Sequence, residues 1–174
     1  MEEKKHPPKK GPEEPALKDP EMEGLVSEAF SSFHPQISYS VDEVVLTINP
    51  EQVVEACRLA KEDERLQFDY LRCLSVVDYE EHFQVVYHLY STTKGHNMVI
   101  KTQLSKDAPE VPSITGVWRG ADWHEREGAD LFGVTFTGHP NPKELLLFDE
   151  FKGVYPMRKD YPFVEIDEWQ GERW

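Results

Sequence analysis

The chain has 174 residues, 39% hydrophobic and 11% aromatic, which is enough for one domain with a real core and a polar extension. A formal net charge of -14 and a pI near 4.9 exclude a nucleic-acid backbone or an anionic lipid surface as the main partner. No apolar run is long enough to span a bilayer, so a membrane is reached only indirectly, through other proteins.

Met1 to Glu23 is rich in Pro, Lys and Glu and has no aromatic residue, so residues 1–23 are expected to be a disordered tail. This start lacks the apolar segment of a secretory signal and is too acidic for a mitochondrial presequence. The expectation is a soluble, cytoplasmic, prokaryotic chain, with residues 24–140 forming the domain and 141–174 an extended arm.

Leu25, Val26, Ala29, Phe30 and Phe33 repeat at helical spacing, and His34-Pro35 ends that helix. Val41 to Ile48 reads as a strand. Asn49-Pro50-Glu51-Gln52 opens a helix, with Pro at its first position, running to about Leu66; Val53, Val54, Cys57, Ala60 and Leu66 point inward. Leu71 to Val77 reads as a strand buried on both faces. Phe83 to Tyr90 and Met98 to Leu104 alternate around the turn Lys94-Gly95-His96-Asn97 and predict an antiparallel hairpin. Ser113 caps a short helix carrying Ile114, Val117, Trp118 and Ala121, and Val134 to Thr137 is a last short strand. The order α-β-α-β-β-β-α-β predicts a two-layer α+β domain, a mixed or antiparallel sheet packed by helices. Cys57 and Cys73 are expected as small core residues; two thiols cannot hold an iron–sulfur cluster, which needs about four.

Asp122 to Pro162 sets charges beside aromatics in a way no solvated helix requires. Asp122 with Glu125 predicts a helix start and Gly133 a stop, giving a helix from Trp123 to Phe132. Trp123, Glu127, Asp130 and Leu131 share one stripe, with Arg126 at its edge and able to pair with Asp130. Such a stripe either buries a satisfied ion network or meets a partner that completes one. The Pro- and Gly-punctuated segment after it carries Leu145, Leu146, Leu147, Phe148, Tyr155, Met157 and Tyr161. It is expected to be laid on another surface, or folded back on its own domain.

Few enzyme chemistries fit. His124-Glu125 begins a zincin motif but position 128 is Gly, so the ligand pair is missing. Glu125 and Glu127 point about 160° apart on a helix and cannot flank one bond. Glu127 and Asp130 share a face, but Arg126 nearby keeps both ionised. His139, in a Gly138-His139-Pro140 turn, reads as a hydrogen-bonded loop residue. No dinucleotide, P-loop or nucleophile-elbow motif occurs. Arg158-Lys159 reads as a pair of contacts to a partner's carboxylates or backbone, or as internal pairing with Asp160 or Glu150.

Glu125-Arg126-Glu127, Asp130-Leu131-Phe132-Gly133, Gly138-His139-Pro140, the basic Lys143, Leu145-Leu146 and Arg158-Lys159-Asp160-Tyr161-Pro162 together resemble the 30 kDa subunit family of respiratory complex I, the bacterial NADH-quinone oxidoreductase. The Trp118 region and the strand pattern before it extend the likeness. The family often has two basic residues where this chain has Lys143-Glu144, and Pro or Thr with an aromatic where it has Phe148-Asp149-Glu150-Phe151. The resemblance implies a non-catalytic peripheral-arm subunit of a proton-translocating complex on the cytoplasmic side of the cell membrane. It would dock on the 49 kDa subunit and other peripheral-arm subunits, with FMN and Fe–S clusters in those partners and no cofactor here. The expected partner-binding residues are Glu125, Arg126, Glu127, Asp130, Phe132, Gly133, His139, Pro140, Arg158, Lys159, Asp160, Tyr161 and Pro162. The alternatives are the equivalent subunit of a membrane-bound hydrogenase or of an F420H2- or ferredoxin-driven relative, and, remotely, a hydrolase using Glu125, Glu127, Asp130 and His139.

Overall fold

The computed structural model describes residues 19–162. The first eighteen residues of the expected tail and the last twelve of the expected arm lie outside them. The tail boundary at 23 falls inside a helix. α1 spans Pro20–Ala29, because Asp19 accepts from the N–H groups of Glu21 and Met22 and Pro20 sits at the first turn. A single 3-10 turn, Ser31–Phe33, follows.

Five strands form one sheet in the order β1-β2-β5-β4-β3. β1 (Gln36–Ser40) and β2 (Glu43–Ile48) are antiparallel; β3 (Tyr70–Asp78), β4 (His82–Tyr90) and β5 (Asn97–Ser105) form a meander. β2 and β5 run parallel, which makes the sheet mixed. The expected hairpin is present, with Tyr90 opposite Asn97 and His82 opposite Ser105. β1 was missed by the hydrophobic pattern: Gln36, Ser38 and Ser40 face water, and only Ile37 and Tyr39 turn inward. β3 is an edge strand with one buried face, not two. Leu71, Leu74 and Val76 enter the core, while Tyr70, Arg72 and Val77 are exposed.

α2 (Val53–Glu62) follows a 3-10 turn, Pro50–Gln52, and is shorter than its sequence pattern suggests. Leu66 is nevertheless buried, on the turn beyond it. The expected helix after Ser113 is absent. Residues 113–118 form turns after β6 (Glu110–Pro112), in which the Ser113 hydroxyl accepts from the Thr115 N–H at 3.2 Å. Those turns are pinned from outside, by Trp118 Nε1 donating to the Phe68 carbonyl at 3.2 Å and Lys61 Nζ to that of Val117 at 2.6 Å. The apolar residues expected on that helix, Ile114, Val117 and Trp118 in the turns and Ala121 just beyond them, are all buried. α3 spans Ala121–Phe132, and β7 (Thr135–Thr137) returns parallel to β6.

Residues of α1, α2 and the 113–121 turns join the inward strand residues in one hydrophobic core on one face of the sheet. The other face holds only a small cluster, Val45, Val86 and Val99, among polar neighbours. This is the expected two-layer α+β arrangement. Cys57 is buried in the core and Cys73 is half-buried on the sheet; both thiols are free.

Some buried polar atoms of the core, Thr102 Oγ1 among them, have no hydrogen-bond partner. The Tyr87 hydroxyl is buried without a hydrogen-bond partner. A buried hydroxyl that bonds nothing contributes desolvation cost and no compensating bond. Tyr87→Phe is therefore expected to leave stability unchanged or raise it by about 1 kcal/mol in urea unfolding. A loss of that size would show that the hydroxyl has a partner.

Candidate functional site

The motif-bearing stretch folds as a helix with two working sides. The inner side carries Ala121, Glu125 and Gly128. Gly128 is required by closeness: a Cβ there would lie 2.8 Å from Val76 Cγ2 and 3.3 Å from Phe136 Cε2. The outer side carries Trp123 and Glu127, both exposed, so the expected apolar-ionic stripe faces solvent over its first turns. Asp122 is not the cap. Gly120 holds that position without a side-chain bond, and Asp122 turns toward His139.

Glu125 has 0% exposure. Its Oε1 accepts from the Ile114 N–H at 2.7 Å, which closes the 113–118 turns onto α3. Its Oε2 has no hydrogen bond and lies 3.8 Å from His139 Nε2. That nitrogen also faces Asp122, 3.3 Å from its carbonyl and 3.2 Å from Oδ1. His139 Nδ1 accepts from the Asn141 N–H at 3.0 Å, so the ring proton of the neutral tautomer sits on Nε2. One N–H cannot serve three oxygens; the Asp122 carbonyl takes it, and Asp122 Oδ1 and Glu125 Oε2 are left over. Burial pushes the Glu125 carboxyl above its usual range. The Ser113 hydroxyl, the Ile114 N–H and the nearness of His139 pull it down without cancelling that rise, and Asp122 adds to it.

The outer edge of α3 holds the arm. Asp130 Oδ2 accepts from three successive N–H groups, Leu145 at 2.6 Å, Leu146 at 2.8 Å and Leu147 at 3.4 Å. Arg126 donates to the next carbonyls back, from Nε to Lys143 at 2.8 Å and from Nη2 to Glu144 at 2.9 Å. The two side chains expected to pair with each other instead serve the arm's backbone.

The C-terminal end of α3 takes the arm's second half. Gly133 stops the helix with φ of 70°, as its position in the sequence predicts. The Leu131 carbonyl accepts from the Met157 N–H at 3.2 Å, and that of Phe132 from Arg158 Nε at 2.6 Å. The Arg158 guanidinium lies 4.3 Å from the Tyr155 ring centroid and 5.0 Å from that of Phe83. Phe83 in turn packs edge-on against Phe132. One residue on, the Lys159 N–H donates to Asp78 Oδ2 at 2.8 Å, while Lys106 Nζ lies 2.6 Å from Oδ1. Burial raises the Asp78 carboxyl, but the Lys106 and Lys159 contacts outweigh it and hold the group below its ordinary range.

These placements divide the expected site residues. Glu125 and the His139 ring are inside, while Phe132, packed on Phe83, and Arg158, over the Phe83 and Tyr155 rings, are half-buried. Arg158 pairs with neither Asp160 nor Glu150; its acceptor is a helix carbonyl. Arg126 and Asp130 are engaged with the arm, and Gly133 lies beneath Tyr155 and Arg158. Glu127, Pro140, Lys159, Asp160, Tyr161 and Pro162 remain exposed. Glu125 and His139 meet, while Glu127 and Asp130 point elsewhere, so the four residues of the hydrolase reading do not converge. Asp78 is not singled out by the sequence reading. An acidic residue closing an apolar strand was the available signal for Asp78.

Between α3, β7 and the arm lies a cavity of about 330 Å³. Apolar residues including Val134, Phe136, Leu147, Phe148, Phe151 and Tyr155 line it. Among the described residues no group of three or more His, Cys, Asp and Glu side chains is placed to hold a metal ion, and no helix is long and apolar enough to cross a membrane.

Two expectations follow from the two sides of α3. The raised Glu125 carboxyl stabilises the fold fully below its ordinary value of 4.5, and that contribution is lost as pH rises through the folded value. Glu125→Gln keeps an acceptor for Ile114 and removes the titration. Its stability relative to the unsubstituted chain should therefore rise with pH above 4.5 and be flat below; a difference constant from roughly pH 4 to 8 would refute the buried acid. Asp130→Ala removes the acceptor of three arm amides at a cost of roughly 1–3 kcal/mol, and should expose residues 143–157 to proteases and to fast amide exchange while the core stays protected.

The comparisons with known proteins agree. The family described as "Respiratory-chain NADH dehydrogenase, 30 Kd subunit" matches residues 46–166. A subunit of the NADH-quinone oxidoreductase of Rhizobium etli (strain CIAT 652) is 46% identical over 121 residues, covering 68% of this chain and 64% of that one. The corresponding NADH-quinone oxidoreductase subunit from Salinispora arenicola (strain CNS-205) is 36% identical over 149 residues, covering 82% of this chain and 60% of that one. The chain thus spans less than two thirds of the length of either relative. The fold is shared with a chain of an archaeal respiratory membrane complex, the membrane-bound sulfane sulfur reductase, with TM-score 0.72 at 22% identity over 83% of this chain and 87% of that one. It is shared also with a trypsin-resistant fragment of Nqo5, with TM-score 0.57 at 23% identity over 69% of this chain and 98% of the fragment. The match of family and fold across most of the domain and into the arm shows that the chain belongs to the 30 kDa subunit family of the respiratory-chain NADH dehydrogenase.

Proposed function

We propose that this chain is a non-catalytic peripheral-arm subunit of a proton-translocating NADH-quinone oxidoreductase, docked on the 49 kDa subunit and on other peripheral-arm subunits. In this reading it lies on the cytoplasmic side of the prokaryotic cell membrane. FMN and the Fe–S clusters belong to its partners, which carry electrons from NADH to quinone. The observation that carries the reading is the use of the motif's ionic residues. Glu125 holds the 113–118 turns, and Arg126 and Asp130 hold the arm's backbone. Groups spent on holding a surface in shape serve recognition, not proton transfer. The relatives above 35% identity are named as subunits of NADH-quinone oxidoreductase, which supports NADH as the donor.

The reading is tested by purifying the tagged chain from its native membranes. It predicts a flavin-containing, NADH-oxidising subunit among the companions, and loss of assembled NADH-quinone activity when the chain is deleted. Companions that include a hydrogenase or an F420H2-oxidising subunit would transfer the reading to that relative. Turnover of a small substrate by the chain alone would end it.

A further inference from the structure

Two buried carboxylate oxygens of α3 lie together without a hydrogen between them. Asp122 and Glu125 stand at i and i+3, so they are neighbours on the helix surface. Asp122 Oδ1 lies 3.2 Å and Glu125 Oε2 3.8 Å from the same atom, His139 Nε2, and neither oxygen has a hydrogen-bond partner. The N–H of that nitrogen goes to the Asp122 carbonyl. The other ring nitrogen accepts from the Asn141 N–H, so its lone pair is engaged as well. The surroundings supply no substitute donor. Ser113 approaches Glu125 from the turns after β6 but leaves Oε2 unbonded. The Cys57 thiol and the unbonded Tyr87 hydroxyl face it from α2 and β4. Lys61 of α2 is engaged with the Val117 carbonyl, and Arg126 of α3 with those of Lys143 and Glu144. Among the described residues His139 is the sole basic group within ion-pair distance of either carboxylate.

We propose that Glu125 carries a proton on Oε2 and donates it to Asp122 Oδ1, and that this bond is a proton-operated latch on the Gly138–Asn141 turn from which the arm departs. One hydrogen then satisfies both unpartnered oxygens, while Glu125 Oε1 continues to accept from the Ile114 N–H. Burial, which disfavours the charged form, supports a proton at this carboxyl. With the proton in place Asp122 is held against α3, its carbonyl takes the His139 ring, and the ring takes Asn141. This chain of bonds seats the base of the arm, and Arg126 and Asp130 take over from Lys143 onward. Loss of the proton leaves two carboxylates side by side with one N–H between them, and like charges at such a separation repel. Asp122, whose side chain is 32% exposed, is the one free to move outward, and the turn bonded to it moves too. The direction follows from the carboxyl being raised above its ordinary value of 4.5: the latch is closed at low pH and opens as pH rises through the folded value of Glu125. It does not depend on which partners the chain has.

The test uses the full-length chain with carbon-13 in the Asp and Glu carboxyls, followed by NMR from about pH 4 to 8. The Glu125 carbon should pass from its protonated to its ionised position above the ordinary carboxylate range, and the Asp122 carbon should shift in the same step. Amide exchange at residues 138–147, corrected for intrinsic rates, should lose protection above that step by up to about tenfold per pH unit, the limit for one proton. β4 and β5 should stay protected. Glu125→Gln puts an amide N–H in place of the proton and should keep the turn closed at every pH. Asp122→Asn offers a donor to the ionised Glu125 and should also abolish the pH dependence. A Glu125 carbon ionised throughout the range, or an Asp122 carbon that ignores the Glu125 step, would overturn the latch, and both are read on the unsubstituted chain whether or not the variants fold. So would pH-dependent exchange at 138–147 that persists in Asp122→Asn, the behaviour of an acid that is merely buried.

Discussion

A single carboxylate oxygen carries the structure's second half. Asp130 Oδ2 accepts from the N–H groups of Leu145, Leu146 and Leu147. A segment with no ladder must still place its backbone donors and acceptors, and water or a side chain has to supply the other half of each bond. Here a helix supplies both kinds. Asp130 takes the donors, and Arg126, one turn earlier, takes the carbonyls of Lys143 and Glu144. An ionised acceptor makes each of these bonds stronger than a neutral one would. The arm is thus ordered by charge-assisted contacts to its main chain, so its side chains are left for another purpose.

The same helix contains a second carboxylate with the opposite fate. Glu125 lies five residues before Asp130, about 140° round the helix, and faces the core, where it meets the Ile114 N–H. Burying an ionised group is expensive, and proton uptake is the cheaper outcome when nothing cationic is near enough to offset it. His139 stands at 3.8 Å with its ring proton already taken by the Asp122 carbonyl. Identity of residue therefore does not decide behaviour. One acid accepts the arm's N–H groups at the surface, the other is held inside with its carboxyl pushed above the usual range by burial, and the difference is set by which face of α3 each occupies.

The elements read best from sequence were those whose burial pattern is regular. The β4–β5 hairpin consists of two long apolar-rich strands around a turn, and Gly133 marks a helix end with the conformation glycine alone adopts without strain. β1 was invisible because Gln36, Ser38 and Ser40 are polar, and its pairing with β2 is a tertiary fact. The 113–118 turns mimicked a helix because Ile114, Val117, Trp118 and Ala121 have the right spacing, but Trp118 and Lys61 bonds from elsewhere hold them as turns. In the site, the stretch and its residues were legible, whereas the direction of each side chain was not. The spacing marks a stripe through Trp123, Glu127, Asp130 and Leu131 and does not mark Glu125 as the buried acid, because the helix begins at Ala121 and its inner face carries no run of large apolar residues. Small residues, Ala121 and Gly128, mark that face instead, since β3 and Phe136 come too close for more.

Docking is cheapest when the docking surface is already ordered, because side chains and loops fixed beforehand lose little freedom on association. In this chain the ordering depends on Gly133 twice. Its positive φ ends α3 so that the carbonyls of Leu131 and Phe132 are free to accept from Met157 and Arg158. Its missing side chain also leaves the space those partners fill: a Cβ there would lie 2.6 Å from Arg158 Nη2 and 2.6 Å from Tyr155 Cζ. Any larger residue would strain the helix end and push away the arm together. The termination of one helix and the seating of a segment twenty-odd residues later are therefore one event, which is why the arm belongs physically to the domain and not to a linker beyond it.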